Sequence, residues 1–178
     1  MKKTVLAFSI VLLFALGVQA AEMKIGYMDL YKALNESARG TEAKKTLEDL
    51  IESKKNAIGK VAAEIEKIQA EIEKQASILT PESRKDKEEQ REKLRREYQR
   101  MAQDSQEELK KKETDLTQEI LKELAELTQK VGEEDGYSVI FEKSESGIMY
   151  IPEKFDITDK VIKRYNEMSK TEKKGDKK

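Results

Sequence analysis

Three basic residues recur at intervals of eleven along a polar, helix-forming part of the sequence. Arg100, Lys111 and Lys122 are separated by about three helical turns with little angular drift, so they share one side of a helix, and Lys110 lies beside the row. Such a row could bind acidic segments of a partner or lipid phosphates. The alternative is an ordinary solvated face, because the surrounding sequence is rich in acidic residues.

The residue types argue against an enzyme. The chain has no histidine and no cysteine, which removes the most common general base and the usual zinc ligands. Its eight glycines are scattered, so no glycine-rich loop could hold a nucleotide phosphate. No carboxylate pair stands out among the 36 acidic residues. We therefore expect a non-catalytic protein without metal, nucleotide or other cofactor.

A second candidate surface precedes Pro81 and consists of four apolar residues: Ile68, Ile72, Ile78 and Leu79. The sequence from Glu82 to Lys93 contains no apolar residue. If these two segments face each other, the four side chains lack an apolar partner within the chain and could contact another protein. The alternative is that lysine and arginine stems of the second segment cover them.

The element that would bring these segments together is a long helical hairpin. From Leu47 to Leu79, mostly apolar residues recur in alternating steps of four and three, which predicts a coiled-coil seam. Thr80 is a good N-cap, and Pro81 suits the first turn of a new helix but not a helix interior. We therefore predict an antiparallel coiled-coil hairpin over residues 41–131, with its tip near residues 80–81.

Both ends of the chain have the patterns of a small α+β body. Residues 23–29 predict a strand, followed by one or two helical turns and a loop around residues 37–40. Residues 137–143 and 147–151 predict two strands joined by a turn. Residues 156–159 open a helix with an apolar side made of Ile157, Val161, Ile162 and Tyr165. The predicted fold is α+β and mostly helical, with a β-body from residues 21–40 and 132–169 and the hairpin inserted between them.

The two termini predict export and a polar tail. Lys2 and Lys3 precede an apolar run, and Val18-Gln19-Ala20 has the small residues of a cleavage site, so residues 1–20 predict a cleaved signal peptide. Removing them takes away two lysines and no acidic residue, which leaves a formal net charge of −3. This nearly balanced charge argues against a nucleic-acid partner. Residues 170–178 are polar and lysine-rich, and we expect them to be disordered.

Segments from both ends of the sequence resemble one protein family. "IGYMDLYKALNESARG" near the N-terminus, "YSVIFEKSESGIMYI" and "DITDKVIKRYN" near the C-terminus, and the charged hairpin between them are similar to the Skp/OmpH family of periplasmic chaperones. The resemblance covers nearly the whole chain after residue 20. It implies a homotrimer whose arms enclose a cavity and hold unfolded outer-membrane proteins in the periplasm without ATP.

Two functions are compatible with these patterns. The first is an ATP-independent holdase for unfolded outer-membrane proteins, which the resemblance implies. The second is a non-catalytic coiled-coil spacer or adaptor of an envelope complex, which periodicity and composition alone would equally permit.

Overall fold

The structure, a computed structural model, describes residues 23–175, with side chains to residue 171. The predicted signal peptide lies outside the described residues. In chain order the elements are strand β1 (Ile25–Met28), helix α1 (Leu30–Glu36), helix α2 (Ala38–Lys74), helix α3 (Pro81–Asp135), strand β2 (Val139–Glu142), a short 3-10 helix (Glu153–Phe155) and helix α4 (Thr158–Gly175). The chain is therefore mostly helical, with a small sheet from its two ends.

The sheet consists of β1 and β2, which run parallel with Tyr27 opposite Phe141. On the other edge of β1, Asp156 forms an isolated bridge with Tyr27, and the backbone N–H of Ile157 donates to the Tyr27 carbonyl. Strand β1 is therefore central, while β2 pairs with no second strand in the described part of the chain.

The predicted strand at residues 147–151 is wrong, because the structure has no strand there. After β2 the chain turns sharply. The carboxylate of Glu142 accepts the backbone N–H groups of Glu145, at 2.6 Å, and Leu30, at 3.4 Å. These bonds direct the chain away from β2, so the two segments do not form a strand pair.

The predicted loop around residues 37–40 is also wrong, because α2 begins at Ala38. Ser37 ends α1 and caps α2 at once, its side chain accepting the Gly40 backbone N–H at 3.1 Å. The sharp junction requires glycine at position 40, where a Cβ atom would lie 1.7 Å from the Leu34 carbonyl oxygen.

Helices α2 and α3 run side by side in opposite directions. Helix α2 ends at Lys74, and Thr80 caps α3 by accepting the Ser83 backbone N–H, so the predicted N-cap is confirmed. Near the tip, Lys87 Nζ lies 2.6 Å from Glu71 Oε2. Further down, Lys54 Nζ lies 2.5 Å from Glu108 Oε2. From the tip towards the base, the ion-pair partner on α2 moves back along the sequence, from Glu71 to Lys54. The partner on α3 moves forward, from Lys87 to Glu108, as antiparallel packing requires.

The apolar core lies at the base of these two helices. Its α3 part consists of Ile120, Leu124, Leu127 and Val131, which pack with Met28, Ala33 and four residues of the α4 region, Ile157, Val161, Ile162 and Tyr165. The buried side of the last helix is thus confirmed. Residues 120–131, which the sequence assigns to the arm, belong to this core. Gly136 ends α3 in the left-handed conformation, with φ of 69°.

Helix α4 continues to Gly175, so the expected disorder of the tail is wrong for residues 170–175. The segment has no helix-breaking residue before that glycine. Side-chain hydroxyls of Ser169 and Thr171 donate to carbonyls one turn earlier, within the helix. Residues 176–178 lie outside the described residues.

Two glycines give a matched test of this packing. Gly40→Ala should lower the free energy of unfolding by at least about 3 kcal/mol, because the new methyl group overlaps a backbone carbonyl that cannot move freely. Gly59→Ala should raise it by about 0.5–1 kcal/mol, since a methyl group there would have nothing within 4 Å and alanine favours a helix interior. Urea denaturation followed by circular dichroism measures both. Equal effects of the two changes would contradict the described junction.

Asp29 predicts a specific pH dependence of stability. Its carboxylate accepts the Lys32 backbone N–H and pairs with Lys143, and these contacts lower its pKa. A lowered pKa stabilises the fold above the unfolded value of about 4, and this contribution is lost as the pH falls through the folded pKa. Asp29→Asn keeps an N-cap but removes the charge.

The free energy of unfolding of Asp29→Asn should therefore be lower than that of the parent at pH 7, and the gap should close towards pH 3. Denaturation at several pH values measures it. Asp115→Asn is the control, because Asp115 is exposed and forms no ion pair with any described residue. A gap that stays constant with pH would contradict the assigned role of the Asp29 charge.

Candidate functional site

Two of the four apolar residues that the sequence offers as a contact surface are buried. Ile68 is 3 % exposed and Ile72 is 6 % exposed. Both lie between α2 and α3, so neither presents its side chain to another protein. Their burial contradicts the expectation that these two isoleucines are exposed to another protein, and it agrees with the alternative that lysine and arginine stems cover them.

Polar side chains of α3 cover this part of α2. Lys87 bonds to Glu71, and the guanidinium group of Arg91 donates to the side-chain oxygen of Gln69. The bond from Lys87 lowers the pKa of Glu71. Long cationic side chains can bury their aliphatic stems while the charged ends remain near water. The segment from Glu82 to Lys93 therefore shields α2 without contributing an apolar residue.

The other two apolar candidates lie in the turn at the hairpin tip. The backbone N–H groups of Ile78 and Leu79 both donate to the Gln75 carbonyl. Ile78 is 78 % exposed, while Leu79 is half-buried. The apolar surface offered by the tip is therefore confined to this turn and does not continue along α2.

The four basic candidates are all exposed on α3. Since α3 is one continuous helix from Pro81 to Asp135, the spacing of eleven places Arg100, Lys111 and Lys122 along one side of it. Lys122 lies 4.0 Å from Glu126, with both side chains mostly solvated. No other ion pair is found for these four residues within residues 23–171. The row is thus largely free to meet an anionic partner.

Sequence reasoning missed an exposed apolar segment next to β2. Met149 is 99 % exposed, Tyr150 is 80 % exposed, and Ile148 is also exposed. Tyr31, at the start of α1, is 74 % exposed. The signal was present in the sequence, because residues 148–151 are apolar without the alternation that a half-buried strand shows. The unpaired edge of β2 and this exposed apolar segment together form a surface that no other described residue covers.

A partly buried polar cluster joins three helices at the hairpin base. Arg39 Nη2 of α2 lies 3.0 Å from Glu119 Oε1 and 2.9 Å from Glu123 Oε1 of α3. The hydroxyl of Tyr165, on α4, donates to the other carboxylate oxygen of Glu123. Burial, together with this bond to Glu123, raises the pKa of Tyr165 well above its usual value. The hydroxyl therefore stays protonated and acts as a hydrogen-bond donor.

The described residues contain no group of metal-binding side chains and no helix suited to crossing a membrane. A surface depression of about 780 Å³ is lined only by residues of α3 between Lys85 and Arg96. It lies along one helix and brings together no groups from different elements.

Comparison with known proteins places this geometry in context. Residues 24–165 match the family described as outer membrane protein (OmpH-like). No protein among the curated sequences matches significantly. The fold is similar to the crystal structure of a candidate outer membrane chaperone (OmpH-like) from Caulobacter crescentus CB15. The TM-score is 0.76 at 16 % identity, and the match covers 83 % of this chain and 86 % of that one.

Because Ile72 is buried and Ile78 is exposed, truncating them should have different effects on the free energy of unfolding. Ile72→Ala should lower the free energy of unfolding by about 2 kcal/mol or more, because it leaves a cavity between the two helices. Ile78→Ala removes the same atoms from a solvated turn and should change it by less than about 0.5 kcal/mol. Chemical denaturation measures both. Comparable losses would contradict the described arrangement of the hairpin.

Proposed function

The chain belongs to the OmpH-like family, and on this premise we propose that it is an ATP-independent holdase that binds unfolded outer-membrane proteins in the periplasm and prevents their aggregation. The observation that carries this proposal is the solvated hairpin. It extends beyond the core as an arm that carries an apolar tip and most of a basic row. Such a surface suits weak contacts at many points with an extended chain.

The proposed assembly is a homotrimer with three arms around a cavity. A sheet of two strands is too small to be stable alone. The unpaired edge of β2 and the exposed segment at residues 148–150 support association of the small body with further copies. Burying these groups between copies would leave the arms free to surround a bound protein.

Two surfaces of the arm are the proposed contacts for the unfolded protein. Ile78 and Leu79 offer apolar contact at the tip, and the basic row attracts acidic segments of the bound chain or the phosphates of anionic lipids. The basic row consists of Arg100, Lys110, Lys111 and Lys122. Ile68 and Ile72 are excluded because they are buried within the hairpin.

Export to the periplasm is part of the proposal. It rests on the sequence of residues 1–20 and on the family, because outer-membrane proteins cross the periplasm as unfolded chains. Edman sequencing or intact mass of the protein purified from a periplasmic extract would test cleavage after Ala20.

The proposed activity is tested by diluting a denatured β-barrel membrane protein into buffer with the purified protein and without nucleotide. Light scattering should fall to near zero at about one oligomer per β-barrel protein, because each oligomer shields one unfolded chain. A spacer or adaptor would leave the scattering unchanged, and that result would refute the holdase proposal.

Charge reversal tests the basic row within the same assay. Changing its four residues to Glu should raise several-fold the concentration needed to halve aggregation, and should weaken the dependence of binding on salt. The matched control reverses four other exposed lysines, on α2: Lys44, Lys45, Lys55 and Lys60. Equal effects of both variants would show that only overall charge matters.

A further inference from the structure

The direction of the hairpin is set only at its base. In the described part of the chain, the hydrogen bonds and ion pairs of residues 44–118 stay within α2, α3 and their connecting turn. Residues 44–74 of α2 span about 45 Å, so a rotation of about 10° at the base would move the tip by about 8 Å. Small changes at the base therefore have large effects at the tip.

Helix α4 holds both helices of the hairpin at that base. Asn166 Oδ1 accepts the backbone N–H of Ala38, the first residue of α2, at 2.7 Å. The neighbouring residue, Tyr165, donates its hydroxyl to Glu123 of α3. Adjacent residues of α4 thus contact α2 and α3, the two helices of the hairpin.

The contact at Tyr165 is partly buried and combines charge with a hydrogen bond. Tyr165 is only 2 % exposed. Its partner Glu123 is also bonded to Arg39, so the carboxylate links α2, α3 and α4. A hydrogen bond to a charged group is strong and directional, and partial shielding from water strengthens it. The hydroxyl can therefore fix an angle, which apolar packing alone does less well.

We propose that Tyr165 is a positioning residue whose hydroxyl, bonded to the Glu123–Arg39 pair, fixes the angle between the hairpin and the core. The angle is a property of the single chain. If the proposed function holds, the same angle sets the width of the space between the arms of the oligomer, and hence the size of the protein that fits.

A purely structural role for Tyr165 predicts something different. The ring packs in the apolar core with Val161 and Leu124. If filling space were its whole role, Tyr165→Phe would keep the ring and leave the arm direction unchanged. If the hydroxyl positions the arm, the same change would release the arm while the core stays folded.

The experiment measures the distance between the tip and α4 by pulsed electron paramagnetic resonance. Spin labels are attached at Ala76→Cys in the tip turn and Lys163→Cys on α4, both exposed positions. The chain contains no cysteine, so only these sites react. Labelled chains are mixed with an excess of unlabelled chains so that the signal comes from distances within one chain.

Tyr165→Phe should widen the distance distribution about twofold, with helical content unchanged by circular dichroism. The matched control is Tyr98→Phe, because the Tyr98 hydroxyl forms no hydrogen bond with a described residue; it should leave the width unchanged. An unchanged width in folded Tyr165→Phe would overturn the proposal.

A second pair of variants keeps the proposal testable if Tyr165→Phe does not fold. Glu123→Gln retains an oxygen that can accept from Tyr165, whereas Glu123→Ala removes it. The distribution of distances between the spin labels should therefore be narrower in the Gln variant than in the Ala variant. Equal widths of the two distributions would overturn the proposal. All these measurements are made without a bound protein, so a failed holdase assay would not affect them.

Discussion

The whole molecule depends on one small apolar core that both ends of the chain build around the base of a long hairpin. Leu124 and Val131 of α3 and Val161 of α4 are fully buried there. Neither end of the chain could form this core alone, because β1 and α1 precede the hairpin while β2 and α4 follow it. The hairpin thus brings the two ends of the chain together, and the core that they form holds the base of the hairpin. Any change that separates α3 from α4 should release both the sheet and the arm.

Beyond that core, few apolar side chains of the hairpin are fully buried. Among the described residues, Ile68 and Ile72 are the only buried apolar side chains of the hairpin outside its base, and ion pairs such as Lys54–Glu108 connect the helices across partly solvated surfaces. Exposed ion pairs contribute little to stability, about 0–1 kcal/mol each. The arm therefore keeps its shape through regular helix, two buried isoleucines and several half-buried apolar side chains, and most of its polar surface remains solvated. This combination suits a protein that contacts extended chains without a fixed binding pocket.

Much of this fold could be predicted from local chemistry. Thr80 and Pro81 predicted the start of α3 because capping and proline geometry depend on adjacent residues. Periodicity predicted the buried side of α4, from Ile157 to Tyr165. The prediction for the Ser37–Gly40 junction was wrong because its tightness depends on the contact between Gly40 and the Leu34 carbonyl, which no pattern encodes. The prediction of a strand at residues 147–151 was wrong because the side chain of Glu142 accepts backbone N–H groups that turn the chain away from β2.

The candidate site was less predictable than the fold, for a related reason. The sequence left two outcomes open for Ile68 and Ile72, which were contact with another protein or cover by lysine and arginine stems of the second helix. The burial of both side chains agrees with the second outcome. Ile51, a predicted seam position, is 50 % exposed, because a strict heptad drifts around a straight helix. The cluster of Arg39, Glu123 and Tyr165 joins residues far apart in sequence, so only the fold brings it together.

We propose that copies of this chain form an oligomer whose arms enclose one unfolded protein. Size-exclusion chromatography with light scattering measures the mass of the complex formed with a denatured β-barrel membrane protein. We predict a soluble species with the mass of three chains plus one β-barrel protein. A monomeric chain that elutes separately from aggregated β-barrel protein would contradict this claim.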